Sequence, residues 1–197
     1  MKLRITYNAP VVLTFTLAAV AVFVLTQVVD GATAWFVAYP RLGGDVHAYV
    51  GLFTHILGHS SWEHLLGNFM LILLIGPILE ERHGSVQLLI MMLVTALVTG
   101  CANLVFGGNM LLGASGVVFM MILLASMANV RGGEIPLTFI AVAIIYMGGE
   151  LVHSFRNDHI SHMAHLVGGG VGGIFGFITA RDRKAPAKQL RLDKKVG

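Results

Sequence analysis

The sequence predicts an all-α membrane protein, six transmembrane helices in one bundle with a long interfacial first loop. Three observations carry that expectation. Of 197 residues, 56% are hydrophobic and 12% charged, with mean hydropathy +0.79, too apolar for a solvated domain. Apolar runs recur between Gly, Pro and charged residues, and a bilayer core about 30 Å thick takes roughly 20 such residues per helix. The basic residues also fall mainly on one side of the alternating loops.

In chain order the spans are expected at 10–29, 62–79, 86–106, 115–130, 136–153 and 161–180. Residues 1–9 form a short N-terminus, 10–180 one membrane domain, and 181–197 a basic tail. The first run, Pro10 to Val29, follows Lys2 and Arg4 but lacks a small-x-small cleavage site, so it is read as a span rather than a signal peptide. Residues 30–61 are long for a membrane loop, and Trp35, Phe36, Tyr39 and Tyr49 suit the interface. The single cysteine, Cys101, excludes an intramolecular disulfide.

Orientation follows from charge. Lys2, Arg4, Arg82, Arg131 and the seven basic residues after Ala180 lie on one side, Arg41 and Arg156 on the other. Both termini are therefore expected in the cytoplasm, in an inner or plasma membrane. The net charge of +3 fits a topology signal and attraction to anionic lipid better than nucleic-acid binding. Eight of the nine histidines gather toward the opposite, outer side, which asks for a site there. No Asp or Glu falls in the middle of a span, which counts against ion-coupled transport.

Gly113-Ala114-Ser115-Gly116 opens the fourth span, where small neighbours leave a hydroxyl accessible. Taken alone, it reads equally well as a helix-entry serine. That span is short, roughly 24 Å at about 1.5 Å per residue, so its start should lie in a recess below the surface. His165, one turn into the sixth span, heads a stripe of Gly169, Gly172 and Gly176 within about 40° on one face. The bland account is a small-residue packing seam with a histidine at its wet end. In the second span Ser60 and Glu63 are expected to form a capping box. His64 and Asn68 then share a face at i and i+4, fit to donate toward an oxyanion or to be satisfied by loop backbone.

These three motifs, in this order and on three spans, resemble the motif set of rhomboid intramembrane proteases over about Phe53 to Phe177. The resemblance implies a serine protease with a Ser-His dyad: Ser115 as nucleophile, His165 as general base and acid, and the oxyanion held by His64, Asn68 and the backbone N–H of Ser115. Gly113, Gly116, Phe119, Ala164 and Gly168 support the site, with Phe119 placed to stack on His165. Glu80, Arg82 and Gly84 resemble the family's structural Glu-x-Arg-x-Gly element, and His55 and His59 should orient the first loop. No third acid is evident. Neither metal nor cofactor is implied, and the expected partners are single-pass membrane proteins, cut near the outer face, and lipid. The chain departs from the family at Ala48-Tyr49-Val50-Gly51, where many members carry a Trp-Arg pair nearby, and at Met120 and Met121, where small residues are frequent.

Two non-enzymatic readings stay open. One is a rhomboid-like protein that binds membrane clients without cutting them. The other is a metal carrier built on His55 and His59 or on His159, His162 and His165, although no HExxH occurs.

Overall fold

A computed structural model describes residues 4–106, 109–127, 135–154 and 161–181. Its α-helices are α1 (Pro10–Val28), α2 (Val46–Thr54), α3 (Trp62–His83), α4 (Ser85–Phe106), α5 (Ser115–Ser126), α6 (Leu137–His153) and α7 (His162–Arg181). Helices α1, α3, α4 and α7 are long and apolar enough to cross a membrane, while α5 and α6 are shorter apolar helices. The described residues contain no strand beyond a single antiparallel pairing of Ala38 with Leu111. Arg131, Arg156, His159 and the tail beyond Arg181 lie outside the described residues, as do positions 128–130 of the fourth expected span.

Helix α5 is the axis of the bundle. It is apolar on every side, and Gly116, Val117, Val118 and Met120 to Leu124 are all buried, as expected for a helix ringed by other helices. Its twelve residues span only about 18 Å, so it cannot match the thickness its neighbours cross. Its closest partner is α7. A Cβ at Gly168 would strike the carbonyl of Gly116, and one at Gly172 would strike that of Met120. The face of α7 that meets α5 therefore runs through Gly168, Gly172 and Gly176, whose missing Cβ would meet Met127. Gly169 of the expected stripe meets chiefly α6: a Cβ there would lie 2.4 Å from Met147 and 3.5 Å from Leu123 of α5. A stripe four residues apart drifts around the helix, so one of two adjacent glycines must face another neighbour. Met120 and Met121 are fully buried, and Gly172 gives the Met120 backbone its room.

The start of α1 has no side-chain cap of its own. Pro10 occupies its first turn, which suits a residue without an N–H. The orphan N–H groups of Val11 and Val12 instead donate to the two oxygens of Glu80, at 2.9 and 3.0 Å. The Ser85 hydroxyl donates to the same carboxylate at 2.7 Å. Glu80 thus clamps α1 to the junction of α3 and α4 and places a negative charge at a helix N-terminus. Gly84 ends α3 with φ of 84°, its N–H donating to the Glu80 carbonyl at 2.8 Å, and α4 starts at the next residue.

The first loop holds a helix, α2, that its aromatic composition did not suggest. Gly51 and Gly58 let it and the following turn lie directly on the carbonyls of Val37 and Phe36. The Thr54 hydroxyl donates to the Trp35 carbonyl, and Gly100 of α4 gives way to Leu52. Small residues thus anchor the loop in the stretch that lacks the expected Trp-Arg pair.

Candidate active site

The turn before α5 is fixed from both sides. Leu111 exchanges two backbone hydrogen bonds with Ala38, at 2.8 and 2.9 Å, and the Gly113 N–H donates to the His55 carbonyl at 2.9 Å. The Asn103 amide donates to the carbonyls of Ala38 and Asn109. Gly113 takes φ of 126°, and a Cβ there would lie 2.6 Å from His64 Nε2. Glycine is thus required twice over, by backbone and by space. Ser115 follows as the first residue of α5, with Ala114 as its N-cap.

Ser115 Oγ lies 2.8 Å from His165 Nε2, across fifty residues of chain and the α5–α7 seam. The close approach allowed by Gly116 and Gly168 brings the two within proton-sharing distance. Phe119, one turn along α5, stacks on the His165 ring with centroids 4.5 Å apart and planes within 6°. Tyr146 of α6 packs edge-on to Phe119 at 5.9 Å. Ala164 is buried against Ala38 and Leu111. Ser115 and His165 line a cavity of about 610 Å³ together with Ser60, His64, Ser161 and residues Asn109 to Leu112.

His64 and Asn68 are placed differently from each other. His64 borders the cavity, with Nδ1 3.2 Å from the Ser60 hydroxyl. If that hydroxyl donates, Nε2 carries the proton and faces the cavity as a donor. Asn68 sits one turn deeper, is buried, and donates one amide N–H to the His64 carbonyl at 3.1 Å. It does not line the cavity. The expected capping box is also corrected: the N-cap is Ser61, whose hydroxyl accepts from the His64 N–H at 3.2 Å. The helix starts at Trp62, so the third helical position belongs to His64 rather than Glu63, and Ser60 is left to hold the imidazole.

His55 and His59 form the layer behind. His55 Nδ1 donates to the Gly51 carbonyl at 3.0 Å, and its Nε2 lies 3.3 Å from Thr99 Oγ1. Burial pushes its pKa down to about 4, against the weaker upward pull of the Gly51 and Leu52 carbonyls. His59 Nδ1 contacts the Leu57 carbonyl at 3.2 Å while its ring meets His64 edge-on. Burial first, and then the neighbouring His64, lowers its pKa to about 4.

A third acid is present after all. Glu150, near the end of α6, sets Oε2 2.9 Å from His165 Nδ1 and 2.6 Å from His162 Nδ1. The contact with His165 has ion-pair distance, but the ring N–H does not point along it. The sequence offered one weak signal, an acid in the last turn of an otherwise apolar span. Glu150 lies fifteen positions before His165 and on a different helix, and no spacing rule links side chains across two helices.

Glu150, His162 and His165 also present three donor atoms within 4.8 Å of one another. Ligand atoms around a zinc ion with bonds of about 2.0–2.1 Å lie roughly 3.3 Å apart. Two nitrogens at 2.6 and 2.9 Å from one oxygen have the spacing of shared protons. A cation would have to draw the carboxylate away from both rings. His55 and His59 are each directed to a different carbonyl.

The rhomboid domain model matches residues 46–182. The chain is 28% identical over 181 residues to a rhomboid protease GlpG of Yersinia enterocolitica, covering 88% of this chain and 64% of that protein. It is 27% identical over 150 residues to the rhomboid protease GlpG of Haemophilus influenzae, covering 75% and 77%. It is 30% identical over 162 residues to rhomboid-related protein 1 of Caenorhabditis elegans, covering 73% of this chain and 42% of the relative. The apolar helical bundle is that of a multi-pass membrane protein, and with most of its length matched by the domain, the chain belongs to the rhomboid family.

Proposed function

We propose that the protein is an intramembrane serine endopeptidase that cuts single-pass membrane proteins near the outer face of a cell membrane, with both of its termini in the cytoplasm. One observation carries this reading: Ser115 Oγ and His165 Nε2, 2.8 Å apart in a cavity at the head of a short central helix. Two of the relatives named above are called proteases. The membrane domain is taken as residues 10–180, with residues 1–9 and the basic stretch 181–197 flanking it.

In the proposed reaction Ser115 Oγ attacks the scissile carbonyl carbon as His165 Nε2 takes the hydroxyl proton. The C–N bond breaks, His165 hands that proton to the leaving amine, and the acyl group stays on Ser115 Oγ. Water then attacks the ester, with His165 again taking and returning a proton. The oxyanion forms at the N-terminus of α5, where the first N–H groups have no partner within the helix and the dipole favours negative charge. His64 adds a side-chain donor from α3, and Asn68 joins it if its second amide hydrogen turns toward the cavity. Substrate must arrive extended, because a helix in lipid already satisfies its own backbone. Segments unwound by Gly or Pro, with a small residue such as Ala before the cut, fit best.

The test is cleavage of a model single-pass substrate by protein reconstituted in liposomes. Ser115→Ala and His165→Ala should each lower the rate by about 10³-fold or more. Cutting that persists in both variants refutes the dyad, and a wild type that binds but never cuts favours the escort reading.

A further inference from the structure

We propose that Glu150 is a positioning residue for this reaction, holding the His165 ring through Nδ1 so that Nε2 stays turned to Ser115. The proposal rests on the serine-protease reading above. A dyad histidine needs two things from its surroundings: a fixed tautomer and a fixed ring plane. Phe119 supplies only the second, because a stacked ring restrains tilt and leaves the imidazole free to turn within its own plane. Glu150 supplies the rest. With Oε2 2.9 Å from Nδ1, the carboxylate requires a proton on that nitrogen, which leaves Nε2 bare to accept the Ser115 hydroxyl proton 2.8 Å away.

The carboxylate is itself held. His162, one turn before His165 on α7, reaches the same oxygen at 2.6 Å, so Glu150 is located by one imidazole and locates the other. Tyr146, one turn back along α6, backs Phe119, and one face of α6 thus braces both the carboxylate and the stacking ring. The imperfect alignment of the Nδ1–H is ordinary for an enzyme without substrate, where such contacts tighten as positive charge develops on the imidazole. Of the other titratable groups around His165, His162 shares the carboxylate and His64 approaches from α3, and neither supplies an anion.

The experiment measures kcat, KM and their pH dependence for the reconstituted full chain carrying Glu150→Gln and, separately, Glu150→Asp. Gln keeps the size and removes the charge. The expected result is a kcat lower by roughly 10- to 100-fold with KM within about twofold. The acidic limb of the kcat profile should move to lower pH by about half a unit or more, because the imidazolium has lost its anion. Asp should recover part of the loss. A kcat within about twofold of wild type overturns the proposal, as does a loss that leaves the acidic limb in place and is not relieved by Asp. Should Glu150→Gln fail to fold, His162→Asn loosens the carboxylate from its other side and should lower kcat in the same direction; an unchanged kcat there overturns the proposal equally. Ser115→Ala measured alongside separates the two failures. Cutting by Ser115→Ala sinks the serine-protease reading, whereas an inert Ser115→Ala with a fully active Glu150→Gln sinks this proposal alone.

Discussion

Residue by residue, the site divides into groups that face the cavity and groups that hold them. His64 lines the cavity, while Asn68 is buried with one N–H committed to its own helix. The two should therefore differ under substitution. His64→Ala is expected to lower kcat by about 10²–10³-fold, as loss of an oxyanion donor does, and Asn68→Ala by about tenfold or less. Equal losses would mean that Asn68 turns into the cavity during the reaction.

Behind them, His55 and His59 are neutral in the folded protein, with pKa values lowered from 6.5 to about 4. The unfolded chain binds protons that the folded one refuses, so stability is fully present above about pH 6.5 and falls as pH drops toward 4. The melting temperature should decline across that window, and His55→Gln should flatten part of the decline. A melting temperature that is level or rises from pH 6.5 to 4 would contradict the buried, neutral state. At this scale Ser115, His165 and Phe119 were legible because each sits in a local motif or one turn from it. Glu150 was not, since its relation to His165 exists only across the α6–α7 contact.

Between elements, backbone approach decides the geometry. Gly168 and Gly172 let α7 lie on the carbonyls of α5, and the distance between Ser115 and His165 is set by that seam. Gly168→Ala puts a methyl against backbone, which cannot step aside as a flexible side chain can. It should destabilise by about 1–3 kcal/mol and lower kcat by more than the lost folded fraction accounts for. A stable, fully active variant would show that the seam has slack. At the opposite end, Glu80→Gln leaves the N-terminus of α1 without its anion. A loss of about 1–3 kcal/mol, read as earlier thermal unfolding with kcat unchanged in the folded fraction, is expected there. The sequence marked Glu80, Arg82 and Gly84 as structural without naming what they hold. The partners of Glu80 lie 68 and 69 residues away, on α1, where no helical periodicity points. The glycine stripe of α7 was legible from spacing, but a periodicity of about 100° per residue names a stripe without naming which neighbour each residue meets.

At the scale of the whole bundle, the described residues place a short central helix among longer ones, with its Ser115 end braced by the first loop. Composition and the length of apolar runs made the bundle legible, and the brevity of the fourth apolar run foreshadowed the short central helix. Helix α2 was hidden because its nine residues look like interfacial loop, and glycines rather than large anchors seat it. Through Ala38 and the carbonyl of His55 the loop holds the turn that presents Ser115.

The most direct measurement of the central claim is the site and dependence of fluorophosphonate modification in the reconstituted protein, located by peptide mass spectrometry. A single adduct on Ser115, absent in Ser115→Ala and slowed by at least about 100-fold in His165→Ala, is the predicted result. Modification at another residue, or labelling of Ser115 at an undiminished rate without His165, would contradict a nucleophile activated across the α5–α7 seam.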